Sequence, residues 1–243
     1  MNISKRIKQL IRSLPDHRDP FGVYGALYRE TNEVPLEDRY DPSLLNLNIA
    51  CVVGDYELAD ALLRRDDVDP GEIWQEEYYF YLYMHPDIVR LLLEDGRMNP
   101  GLDNSYPIFF ASENGLVESL RLLLIDGRAD PTIVEDFRSV ISFAAEYEQL
   151  EVVRLLLLDG RADPAAGGNE ALIIAATQGD EEMVALLMRD GRVDPSDQDN
   201  QATREAIAGK HWGVVYLLAQ DRKVMRSLKK DEKYIAEKVL RDY

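Results

Sequence analysis

Cysteine is almost missing from this chain of 243 residues: Cys51 stands alone. One cysteine excludes an intramolecular disulfide framework and any zinc site built from several thiolates. Histidine is nearly as scarce, with His17, His85 and His211 far apart in sequence. No Ser-His-Asp order with meaningful spacing can be assembled around them, and no glycine-rich phosphate loop accompanies Gly167-Gly168. No apolar run approaches the roughly 18 residues that a membrane span needs. An apolar stretch ending in a small-residue cleavage site is also missing near Met1, so a secretory leader is not expected. Basic residues are outnumbered, 28 against 45 acidic, for a formal charge of −17. Such a surface repels nucleic-acid phosphate and steers basic partners, or simply keeps the chain soluble.

The charge is not even. Lys5, Arg6, Lys8 and Arg12 face no acid in residues 1–14, and residues 221–243 are also net basic. The stretch between is therefore more acidic than the whole.

What the chain has in quantity is repetition. Leu122-Leu123-Leu124-Ile125-Asp126-Gly127-Arg128-Ala129-Asp130-Pro131 returns as Leu155-Leu156-Leu157-Leu158-Asp159-Gly160-Arg161-Ala162-Asp163-Pro164. Weaker copies end at Pro100 and Pro195, and a more diverged one at Pro70. A period of about 31 residues marks a solenoid, in which each unit buries its apolar face against its neighbours. Six units are expected, over 43–70, 71–100, 101–131, 132–164, 165–195 and 196–226. Within a unit, as at Glu170–Leu187, a short helix ends at a glycine, acidic residues start a second helix, and Asp-Pro forces an extended exit. Residues 1–42 are expected to form an N-terminal helix and lead-in that cap the array. Residues 227–243 are expected to form a C-terminal capping helix. The fold class is all-α.

Tyr106-Pro107-Ile108-Phe109-Phe110-Ala111, Ala144-Ala145 and Val152-Val153-Arg154-Leu155-Leu156-Leu157 resemble the ankyrin repeat, as does Ala50-Cys51-Val52-Val53-Gly54-Asp55. The likeness covers about residues 43–226, in the divergent, proline-ended form similar to arrays of large DNA viruses and amoebae. No unit keeps both the Thr and the His of the family's opening tetrapeptide. Phe80 and Tyr81 fall where the family has two alanines, and Lys210-His211 fall at its Gly-His. The resemblance gives His211 a structural hydrogen bond.

Other candidate chemistry is ordinary structure. Asp197-Gln198-Asp199-Asn200 starts like a calcium loop, but Ala202 and Ala208 replace the required glycine and glutamate. Cys51 sits at a small-residue core position. Arg97, Arg128, Arg161 and Arg192, one repeat apart, are expected to build a ladder of ion pairs with Asp130, Asp163 and Asp194.

The resemblance implies binding through loop tips and the exposed, concave side of the first helices. In that register Tyr83, Glu113, Asn114, Glu146, Tyr147, Thr177 and Gln178 line the groove, with Phe137 on a loop tip. Aromatics bury large area with little entropy loss and are favoured anchors. Trp74, Tyr78, Tyr79, Phe80, Tyr81 and Tyr83 crowd the second unit. The expected function is a non-catalytic protein-protein interaction module for a protein or peptide, basic in character. No cofactor, metal, nucleic acid or stable membrane insertion is expected, and the chain is expected to be a monomer. The expected place is intracellular, the cytoplasm, a host's if the source is viral. The alternative is an adaptor whose residues 1–42 recruit another machine, such as a ubiquitin ligase.

Overall fold

A computed structural model describes residues 47, 50, 51, 54–66, 68, 70, 84–135 and 138–243. The N-terminal cap, Tyr83, Phe137 and the aromatic run from Trp74 lie outside the described residues. The chain divides into two compact units, residues 1–99 and 100–243.

In the first unit α1 (Tyr56–Leu63) packs against α2 (Pro86–Asp95). Asp55 caps α1 by accepting from the Leu58 amide at 3.1 Å, and Pro86 opens α2 where its missing N–H is harmless. The His85 ring lies over Gly54, leaving no space for a side chain there. Cys51 is fully buried, and burial pushes its thiol up to about 12, so it is an inert core residue.

The second unit alternates short helices. They are α3 (Leu102–Glu113), α4 (Val117–Asp126), α5 (Val140–Glu146), α6 (Leu150–Asp159), α7 (Ala166–Gln178), α8 (Glu181–Asp190), α9 (Asp197–Gly209) and α10 (Trp212–Ala219). The odd-numbered helices stack in one row, α3 on α5 on α7 on α9, and the even-numbered helices in a second row. Each pair is joined across the layers, α3 with α4 and so on. The core lies between the rows. Ile108, Ile141 and Leu172 enter it from the first row, and Leu123, Leu156 and Leu187 from the second, all fully buried. α11 (Arg222–Ser227) and α12 (Lys230–Asp242) close the end, α12 burying Ala236 and Val239 against α10. A two-rung antiparallel ladder, β1 (Val134–Glu135) with β2 (Arg138–Ser139), interrupts the loop before α5. It leaves the architecture helical.

Several local devices start and brace the first helices. On α5, Ser139 and Ser142 cap one another's backbone, Ser142 N donating to Ser139 Oγ at 3.2 Å and Ser139 N to Ser142 Oγ at 2.8 Å. Elsewhere a buried polar residue in the left-handed region precedes the helix: Ser105 (φ 58), Asn169 (φ 62) and Asn200 (φ 58). Each side chain accepts a hydrogen bond from a residue 25 to 27 positions on: the Asp130 amide, the Asp194 amide and the Ser227 hydroxyl. The right-handed helix therefore starts later than its nominal bounds. Pro107 falls in its first turn, where proline fits.

The expected arginine ladder is corrected in its bonded partners, although the charges of Asp130 and Asp163 still act on Arg161 and Arg192. Arg97, Arg128, Arg161 and Arg192 each pair with the aspartate two residues earlier: Asp95, Asp126, Asp159 and Asp190, at 2.6–2.8 Å. The reason is a shared need. The fork reaches its own aspartate and also carbonyls at the end of the preceding second helix and its loop. Arg97 donates to Leu63 and Val68, Arg161 to Leu124, and Arg192 to Gly160 and Ala162. Helix C-terminal carbonyls have no partner within the helix, and a guanidinium satisfies them. Asp130, Asp163 and Asp194 instead fold their own loops, accepting from the amides of Thr132, Ala165 and Ser196.

These carboxylates make the array acid-sensitive. Hydrogen bonds from the arginines hold Asp95, Asp126, Asp159 and Asp190 below the usual carboxylate range. Lys223 and Ser196 hold Asp194 down at about 2. Because the folded values lie below the unfolded one, about 3.9, this stabilisation is complete above pH ~5 and lost as pH falls towards 2. The urea midpoint, followed by circular dichroism, is expected to drop over that window. An Asp159→Asn, Asp190→Asn variant is expected to start lower at pH 7 and to drop less. An equal drop in both proteins would place the sensitivity elsewhere.

Candidate binding surface

The ends of the first-helix row in the second unit carry the expected site residues, with Asn114, Tyr147, Thr177 and Gln178 exposed and Glu113 and Glu146 half-buried. Glu113, Glu146 and Thr177 are equivalent by repeat spacing, as are Asn114, Tyr147 and Gln178. Each second-position residue beyond the first reaches back one repeat. The nearby Glu113 carboxylate raises the pKa of the Tyr147 phenol. Gln178 Nε2 donates to the Glu146 carbonyl at 2.7 Å. Next in order, His211 Nε2 and Gln149 Nε2 donate to the carbonyls of Thr177 (3.1 Å) and Glu113 (3.3 Å). His211 thus has the structural role the resemblance implied, resting against Gly179, where φ is +80 and a side chain would strike its ring.

Six of the eight expected residues are described, and Glu113, Glu146, Tyr147 and Gln178 form a strip across three repeats in which Gln178 is bonded to Glu146. Tyr147 is 46% exposed. Asn114 is exposed and turns its amide onto the Phe110 carbonyl at 2.9 Å. Thr177 spends its hydroxyl on the Ile173 carbonyl at 2.8 Å. Tyr83 and Phe137 fall outside the described residues.

The strip is less acidic than its residue types suggest. Arg138 forms a two-bonded pair with Glu146, at 2.6 and 3.0 Å, and lies over the Phe143 ring, 5.3 Å from its centroid. Phe143 in turn meets Phe109 edge-on at 5.4 Å. Arg138 and Phe143 were not picked out from sequence. The available signal was that Arg138 stands where the other units carry Ser105, Asn169 and Asn200. Tyr106 adds a second phenol, 36% exposed and seven residues before Glu113 on α3. Its pKa is raised by burial and then by the Glu113 charge.

Nothing in this arrangement pairs a nucleophile with a base. Among the described residues no group of three or more His, Cys, Asp or Glu side chains could hold a metal ion. Asp197, from the calcium-like stretch, is engaged by Asn169 Nδ2 at 2.9 Å. Among the described residues no helix is long and apolar enough to cross a membrane.

Comparison with known proteins agrees with this architecture. Residues 139–227 match the family model described as ankyrin repeats (3 copies). No curated protein sequence matches the chain. Among solved structures, the ankyrin repeat protein EF0377 is 26% identical with a TM-score of 0.62, covering 72% of this chain and 96% of its own. The ankyrin repeat domain of Bcl-3, a member of the IkappaB protein family, is 22% identical with a TM-score of 0.59, covering 79% and 98%. An ankyrin repeat domain from Acinetobacter baumannii AYE is 22% identical with a TM-score of 0.58, covering 71% and 95%.

Proposed function

We propose that this ankyrin repeat protein, whose residues 139–227 carry the family's repeats, uses its first-helix face and adjoining loop tips to hold a basic protein or peptide. Ankyrin repeat domains are in general protein-protein interaction modules, and their fold is typically non-catalytic. The observation that carries the assignment to this face is the Gln178 bond to the Glu146 carbonyl beside the exposed Tyr147 phenol, whose pKa the Glu113 carboxylate raises. These residues span three successive repeats. A surface held by hydrogen bonds from repeat to repeat is largely pre-formed, so little ordering entropy is lost on binding. The chain's −17 charge steers a basic partner to it. Asn114, Thr177, Tyr83 and Phe137 extend the same proposed surface, and the division into six repeats between two caps belongs to the reading. The protein acts as a monomer inside the cell, in keeping with its lone, buried Cys51 thiol.

The test is quantitative affinity capture from cell extract with wild-type protein and a Tyr147→Ala, Gln178→Ala variant, each confirmed folded by circular dichroism. A partner retained by wild type is expected to fall about tenfold or more with the variant, as hot-spot loss implies. An Arg154→Ala control on α6, remote in layer from the strip, is expected to retain it. Equal retention by all three proteins would move the site off this face.

A further inference from the structure

The chain contains its own example of what a guanidinium finds on this surface. Arg138 makes two hydrogen bonds to the Glu146 carboxylate and lies over Phe143. The planar fork of arginine suits both contacts: parallel bonds to a carboxylate and stacking on a ring. Phe143 and Glu146 are three residues apart on α5, so ring and carboxylate share a face.

One repeat earlier, 33 residues back, the same pair stands as Phe110 and Glu113 on α3, which packs beside α5. The same step from Arg138 leads to Ser105. Its side chain is buried and its hydroxyl accepts from the Asp130 amide, so no cation comes from that position. Among the described residues Glu113 makes no ion pair, and its charge raises the pKa of the neighbouring Tyr147 phenol. Tyr106 lies on the same helix face, two turns before. Later repeats lack the pair: Ile174 and Thr177, then Glu205 and Ala208, occupy the two positions.

We propose that Glu113, one repeat before Glu146, is a seat for one arginine side chain of the bound partner, which pairs with it as Arg138 pairs with Glu146. This deepens the assignment of the first-helix face and rests on it. The ligand class is a guanidinium borne on a peptide. A lysine ammonium offers charge without the two-bonded fork and is the weaker occupant.

The experiment uses dye-labelled hexa-arginine and hexa-lysine peptides with the full chain, read by fluorescence anisotropy at about 50 mM salt, where charge contacts are least screened. Hexa-arginine is expected to bind about tenfold tighter than hexa-lysine, and Glu113→Gln is expected to weaken it about tenfold, the scale of one charge-assisted pair. Glu113→Gln keeps an acceptor for Tyr147. Glu182→Gln, an exposed acid on α8 matched in charge, is expected to change it less than about twofold. Arg138→Gln frees the Glu146 seat and is expected to tighten hexa-arginine severalfold. Equal weakening by Glu113→Gln and Glu182→Gln would reduce the effect to overall charge and overturn the seat. No binding of hexa-arginine to wild type would overturn it as well. Loss of the captured partner with Tyr147→Ala, Gln178→Ala while Glu113→Gln leaves hexa-arginine unchanged would sink the seat and keep the binding face.

Discussion

Leu156→Ala is expected to destabilise the second unit by about 3 kcal/mol, while Leu158→Ala, two residues on, changes it by less than about 0.5 kcal/mol. Both belong to the same run of four leucines, Leu155 to Leu158. Leu156 is 0% exposed between the two helix rows, whereas Leu158 is 79% exposed near the end of α6. Removing Leu156 takes away buried transfer energy and leaves a cavity that neighbouring Val152 and Val153, themselves fixed in the core, fill only partly. Removing Leu158 takes little surface from a packed environment. Urea denaturation followed by circular dichroism measures both. A repeat array can lose units separately, so the readout is the midpoint of the transition that α6 shares with its neighbours. Equal shifts for the two variants would mean that the layer boundary is misplaced.

Asn169→Ala is the second large effect, expected at about 2–3 kcal/mol. It combines two losses. The Asp194 amide, 3.1 Å from Asn169 Oδ1, is left without its acceptor, and an orphaned buried donor costs about 1–3 kcal/mol. The bond from Nδ2 to Asp197 also disappears. In addition, φ at Asn169 is +62, a region that asparagine tolerates better than alanine by some fraction of the roughly 1 kcal/mol left-handed penalty. Asn169→Gly separates the causes. Glycine removes the backbone strain but restores neither hydrogen bond, so its midpoint is expected to lie between wild type and alanine. A glycine variant as stable as wild type would show that the side-chain bonds contribute nothing. An alanine variant as stable as wild type would remove the clamp from the account altogether.

These two positions show what could be read in advance. The leucine run and its spacing predict a second helix, and the apolar positions that recur at three and four identify its buried side. The positions of Glu113, Glu146, Tyr147, Thr177 and Gln178 at helix ends were legible from repeat register. Asn169 was not. Its role depends on φ and on an amide 25 residues away, and neither leaves a period in the sequence. Arg138 was hidden for the same reason. It interrupts the series Ser105, Asn169, Asn200, and its partner Glu146 lies at the far end of α5, a reach that no composition reveals. The arginine series misled in a particular way: Asp130, Asp163 and Asp194 adjoin the arginines in sequence, yet Asp126, Asp159 and Asp190 face the guanidiniums.

The sequence by itself determined the period, the helix-turn-helix unit and the identity of the core residues. Burying apolar side chains is a summed, non-directional effect that a pattern of residue types is enough to specify. Only the tertiary structure decided which polar atoms meet: the arginines on carbonyls of the preceding repeat, the left-handed clamps, the Arg138–Glu146 pair and the place of Glu113 near Tyr147. Hydrogen bonds and ion pairs depend on distances of a few tenths of an ångström between groups some thirty residues apart, and those distances exist only once the repeats have stacked.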